Sequence, residues 1–209
     1  MATMSFDEDA LRLQIPYYLT ADPARKVLLK DLDALSKGAT AGYFISPISD
    51  RFQADLLQGD GWRGLQVYHF ASGTIKPVRG IVLSNSCDVA PENARALPPK
   101  IIFAPIVKLS NIRARFDAAG LKNEQIEAKL KSIRSQSVTS MFYLPAENPL
   151  DEEHVALLDD LHSVPMEIHR TSSCKLFTLS MAGFYLFVFK LSIHFCRLHE
   201  GIDRTQPRQ

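Results

Sequence analysis

A chain of 209 residues, 46% hydrophobic and 22% charged, can close one sizeable core, and it sits far from the low-hydrophobicity, high-charge composition of disordered chains. With 24 basic and 23 acidic residues the net charge is +1, which excludes a global field drawing the protein onto nucleic acid or an anionic membrane. Any nucleic-acid binding must come from a local patch.

The segment 6–15 is a short arm that Pro16 ends. Asp22-Pro23 supplies a cap and a first-turn proline for a helix carrying Val27, Leu28, Leu32 and Leu35, which Gly38 ends. An aromatic and β-branched run follows from Gly42 to Ile48. From Trp62 the alternation of Leu65, Val67 and His69 with Gln66, Tyr68 and Phe70 predicts a strand, and Ala71-Ser72-Gly73 predicts a hairpin turn. Arg79 to Ser84 and Lys100 to Val107 read as buried strands separated by a polar loop, with Pro105 implying an edge or a bulge. Phe116 to Ile133 reads as one amphipathic helix inserted between strands, because Leu121, Ile126, Leu130 and Ile133 are apolar among lysines and glutamates. Val138 to Leu144 returns to strand character, and Val155 to Val164 is a further apolar segment. About Ser180 to His199 the pattern predicts a long helix that is apolar almost all round, interrupted by Lys190 and His194.

Cys87, Cys174 and Cys196 are odd in number and spaced unlike any zinc or disulfide framework, so a reducing compartment is expected. Asp7, Glu8 and Asp9 stand where a secretory signal would be basic, so a cytoplasmic, non-membrane protein is expected. The most suggestive string is Ser84-Asn85-Ser86-Cys87-Asp88, because loops leaving buried strands present ligand-binding side chains. Cys87 becomes a nucleophile only beside a group that activates its thiol, such as a histidine, and His69 is the candidate if the two central strands pair. The alternative is a small residue in a turn that Asp88 caps. His154, His162 and His169 lack the tight spacing of a metal set. The basic stripe Lys190, His194 and Arg197 reads as the solvated face of the last helix. Gly59, Gly61 and Gly64 lack the lysine of a phosphate loop. Neither a metal nor another cofactor is expected.

Gly59-Asp60, a strand, then Pro77-Val78-Arg79-Gly80-Ile81-Val82-Leu83-Ser84-Asn85, then Ile102-Phe103-Ala104-Pro105-Ile106 resembles the MazF/PemK toxin family, as does Val155 to Pro165. The resemblance implies a small SH3-like barrel that cuts single-stranded RNA and is held by a small antitoxin-like partner. On that pattern Arg79 takes the place of the catalytic arginine, stabilising charge on the phosphate during attack by the 2′-hydroxyl. The chain departs where Gly80 replaces a proline and Val107 a threonine, with Ser110 the next hydroxyl. Ile81 to Val89 with Ile101 to Val107 also resembles uncharacterised bacterial and phage-associated proteins with an "SxTCDI"-like motif.

The expectation is thus an α+β single domain over 1–209. A helical arm covers 1–58, and a barrel core with helical insertion 115–134 covers 59–170. A C-terminal helix and tail cover 171–209. The expected catalytic set is Arg79, Ser84, Ser110, Cys87 and Asp88, with Trp62, Arg63, Tyr68 and Lys76 binding RNA. The alternative is a non-enzymatic interaction module dimerising through Phe184 to Phe189, whose apolar area is large for a lone surface helix.

Overall fold

The computed structural model describes residues 27, 30–35, 42–45, 55–90, 97 and 99–195. The expected N-terminal arm, the Asp22-Pro23 helix start and the tail beyond 195 lie outside them. Residues 30–35 are helical and bury Leu32 and Leu35, in keeping with the spacing. Seven strands follow: β1 (Gly61–His69), β2 (Thr74–Val82), β3 (Lys100–Lys108), β4 (Met141–Leu144), β5 (His154–Leu157), β6 (His162–Pro165) and β7 (Cys174–Phe177). Among them lie the helices α1 (Ser86–Val89), α2 (Leu109–Ala118), α3 (Asn123–Arg134), α4 (Met166–Ser172) and α5 (Met181–Phe195).

The strands form one antiparallel sheet in the order β4-β5-β3-β2-β1-β7, with β6 also on β3. The sheet is open: among the described residues no ladder joins β4 to β7, so in place of the expected SH3-like barrel there is a sheet with two ends. The β1–β2 hairpin turns at Ala71-Ser72-Gly73 as expected, but β2 starts at Thr74 and not at Arg79, which makes the hairpin longer than the apolar run suggests.

Pro105 sits in a central strand, against the expectation of an edge, and the partner strand explains it. β5 and β6 pair with the same edge of β3, one over Ile106–Lys108 and the other over Lys100–Phe103, and residues 158–161 loop out between them. Ile102 directs its N–H to Ser84 Oγ and its carbonyl to Leu83 N on the β2 side. By alternation Pro105 turns its nitrogen to the opposite edge, where the ladder is interrupted and no donor is needed.

Alternation also sorts the core. Ile81, Ala104, Ile106, Phe142, Leu144 and Ala156 face one side, where they pack with Leu32, Leu35, Phe177 and the α5 residues Ala182, Leu186 and Phe187. Leu65, Val82, Ile101, Phe103 and Val164 face the other side with Trp62, Val89 and Met166. Val155 and Tyr143 continue that second side under α2 and α3, through Leu109, Ile112, Ile126, Leu130 and Ile133. The inserted helix is therefore two helices rather than one. Gly120, at φ 78°, turns the chain between them in a conformation that a side chain resists.

The apolar C-terminal helix is described over 15 residues, and no described helix is long and apolar enough to cross a membrane. Its all-round apolarity has a reason within the chain. Ala182, Gly183, Leu186 and Phe187 are buried on the sheet, and Phe184, Tyr185 and Phe189 pack against the same core. Lys190, expected on a solvated face, is 1% exposed and donates to the Gln136 carbonyl. Burial pulls its ammonium down to about 7.

Candidate functional site: a row of arginines and a cleft

In β1 and β2, Arg63 is directly opposite Arg79. Directly opposed side chains lie on the same face about 5 Å apart at Cβ, and like charges there repel. Neither guanidinium has an acidic partner among the described residues. Arg63 Nε instead donates to Cys174 Sγ at 2.5 Å on the neighbouring β7. Arg79 Nη1 donates to His154 Nε2 at 3.0 Å, across the intervening β3. Since a guanidinium only donates, His154 accepts at Nε2 and gives its Nδ1–H to the Glu152 carbonyl at 2.8 Å. The ring is 1% exposed while Arg79 is exposed, so His154 is the fixed post against which Arg79 leans.

The same face continues along the hairpin. Gln66 pairs with Pro77 and Tyr68 with Ile75, so these side chains project to the side of Arg63 and Arg79. Tyr68 and Ile75 are exposed, and Phe70, 87% exposed, meets the Tyr68 ring edge-to-face at 4.9 Å. Lys76 is opposite Val67, which packs into the second core cluster, so Lys76 projects to the other side of the hairpin. Trp62, placed beside Gly80, also turns that way and is 7% exposed, too enclosed to offer a ring to a strand of RNA.

Gly80, where the resemblance has a proline, is required by this packing. A Cβ there would stand 2.6 Å from Phe103 Cδ2 and 2.7 Å from Leu65 Cδ1. Ser84 is committed to the backbone, its Oγ accepting from Ile102 N at 2.7 Å. Ser110 is the second residue of α2 and lines a separate groove with Arg113, Arg134, Glu152 and Glu153. Val107, in the position of the missing threonine, packs against the α2–α3 cluster.

Asn85 caps α1 by accepting from Cys87 N at 3.0 Å, which holds Ser86, Cys87 and Asp88 in one helical turn. Ser86 Oγ accepts from Gln58 N at 2.9 Å, tying this turn to the segment before β1. Cys87 and Ser86 line a cleft of about 470 Å³, together with Asp55, Leu56, Leu57, Trp62, Val89, Ala90, Met166, His169 and Arg170. The histidine of this cleft is His169, not His69, which bonds Ser72 at the hairpin turn. His169 stands edge-on to Trp62, with ring centroids 4.4 Å apart. No sequence signal pairs it with Cys87, because the two lie far apart on the chain and only the fold brings α1 and α4 to one cleft.

The predicted catalytic set is thus divided. Arg79 lies on one face of the sheet with Arg63 and Tyr68, and Cys87 lines a cleft on the other with Trp62. Among the described residues no group of three metal-binding side chains occurs. Comparison with family models and with curated proteins finds no match to this chain.

Proposed function

We propose that this chain is a PemK-like protein that binds single-stranded RNA along the exposed face of the β1–β2 hairpin and cleaves it there. The observation that carries the reading is the Arg63–Arg79 pair: two like charges held opposite each other, without an acidic partner among the described residues. Two such cations on one face, one reaching towards β7 and the other towards β5, suit the backbone of an anionic chain laid across the strands. A phosphodiester supplies that charge, and the Tyr68 and Phe70 rings lie further along the same face for bases to stack on.

In this reading the 2′-hydroxyl attacks the adjacent phosphorus, the bond to the 5′-oxygen breaks, and a cyclic phosphate remains. Arg79 stabilises the charge gathering on the phosphate oxygens. His154 keeps Arg79 aimed and takes no proton, because its Nε2 is occupied by Arg79. In this reading the open sheet takes the place of the barrel that the resemblance implies.

The test is incubation of purified protein with a panel of labelled single-stranded RNAs, read by gel for cleavage and by anisotropy for binding. Wild type cleaves, and Arg79→Ala loses cleavage by about a hundredfold or more. Arg63→Ala weakens binding and lowers the slope of log K against log salt by about 0.7, the loss of one phosphate contact. A wild-type protein that neither binds nor cleaves any member of the panel overturns the reading.

A further inference from the structure

The cleft across the sheet carries a chemistry that the RNA reading does not use. Its volume of about 470 Å³ falls in the range of small-molecule sites, and its walls are largely apolar with a few converging polar groups. His169 is 5% exposed, and its hydrogen bonds fix which nitrogen carries the proton. Ser173 Oγ donates its single hydrogen to the His169 carbonyl at 2.5 Å and also lies 2.5 Å from His169 Nδ1. With that hydrogen used, the hydroxyl can only accept from the ring, so Nδ1 bears the proton and Nε2 keeps a lone pair. Nε2 has no hydrogen-bond partner among the described residues.

We propose that Cys87 and His169 form a nucleophile and general-base pair, oriented by Ser173, that accepts the acyl group of a small activated ester or thioester. A nucleophile, a base and a third group holding the base's tautomer are the three parts such a site needs. In the first step the Cys87 sulfur bonds to the acyl carbon while Nε2 takes the thiol proton. The bond to the leaving group breaks, and the leaving group carries that proton away. In the second step water attacks the acyl-cysteine as Nε2 takes its proton. The acid is released, and the sulfur regains the proton from Nε2. The apolar walls Leu56, Leu57 and Met166 suit the acyl body, and Arg170 at the rim favours a substrate with a negative charge.

Burial, with Arg170 nearby, brings the imidazole down to about 4, so its lone pair stays available across the neutral range. It is a weak base, which is why an activated acyl donor is the matching substrate rather than an amide.

The experiment uses the wild-type chain with p-nitrophenyl acetate as the acyl donor, followed by p-nitrophenolate release and by mass spectrometry of the cysteine peptides. Cys87 is expected to acetylate first, at a rate that stays nearly flat from about pH 5.5 to 7.5. An unassisted thiol instead speeds up about tenfold per pH unit below its usual value near 8.5. His169→Gln should slow Cys87 acetylation by about a hundredfold, and Ser173→Ala by roughly tenfold with a return of the pH slope. Acetylation of Cys87 with the slope of a free thiol, or no faster than N-acetylcysteine, overturns the proposal. The wild-type pH profile decides even if His169→Gln does not fold. No RNA is present, so the outcome is separate from that of the RNA reading.

Discussion

Two charge arrangements lie three residues apart on the chain and could hardly differ more. Asp60, just before β1, is buried and pairs with Lys175 Nζ at 2.7 Å, while its Oδ2 also accepts from Leu57 N at 2.9 Å. Burial pushes its carboxyl up, and Lys175 and the Leu57 N–H pull it back. Arg63 and Arg79, by contrast, are exposed, alike in sign and directly opposed. The first arrangement is what a fold needs when it encloses an ion; the second leaves two cations without an acidic partner among the described residues. The contrast separates charge neutralised inside the fold from charge left at its surface.

The largest effect should come from breaking the buried pair. Asp60→Ala leaves Lys175 enclosed without its carboxylate and should cost about 3–5 kcal/mol, read as a lower denaturant midpoint at unchanged slope. Arg63→Ala and Arg79→Ala should move that midpoint by no more than about 0.5 kcal/mol, since they relieve repulsion and vacate no core. A large loss of stability in Arg79→Ala would mean that its bond to His154 serves the fold, and the comparison would fail.

Gly61→Ala sharpens the same contrast from the packing side. Its Cβ would stand 2.3 Å from the buried Phe177 ring, and the overpacking should cost about 1–3 kcal/mol. A smaller loss would show that Phe177 has room to turn.

Lys190 is an enclosed cation with no carboxylate partner among the described residues, and its effect is a pH dependence. Its folded-state value near 7 lies below the 10.5 of an exposed lysine, so between these the unfolded chain binds more protons. Stability should therefore rise with pH from about 7 to 10, by at most about 1.4 kcal/mol per unit. Tyr43, pushed up to about 12 by burial, reverses the trend above 10. Lys190→Met should flatten the profile in urea titrations, and an unchanged rise would place its source elsewhere.

What the sequence made legible was local. The Ala71-Ser72-Gly73 turn, the apolar run of β3 and the Ile126, Leu130, Ile133 spacing of α3 each report their own neighbourhood, and each is present. The break at Gly120 was not legible, because the apolar spacing continues on either side of it. The four-residue strands β4 to β7 are too short to show a period. The site was half legible for the same reason. Arg79 and Cys87 stand in conspicuous strings, whereas His154, which bonds Arg79, and His169, which shares the cleft with Cys87, are brought in by strand pairing and by α4, far along the chain, and carry no mark of it.

Trp62 is the chain's one indole. It lines the cleft against His169, and its neighbour along the backbone is Arg63. Consecutive residues of one strand thus report to opposite surfaces, and nature has placed a single fluorophore at the crossing. Its emission needs no label and no deconvolution. A spectrum shifted by an acyl compound reads the cleft directly, and one shifted by RNA would show strain passing through the thickness of the sheet.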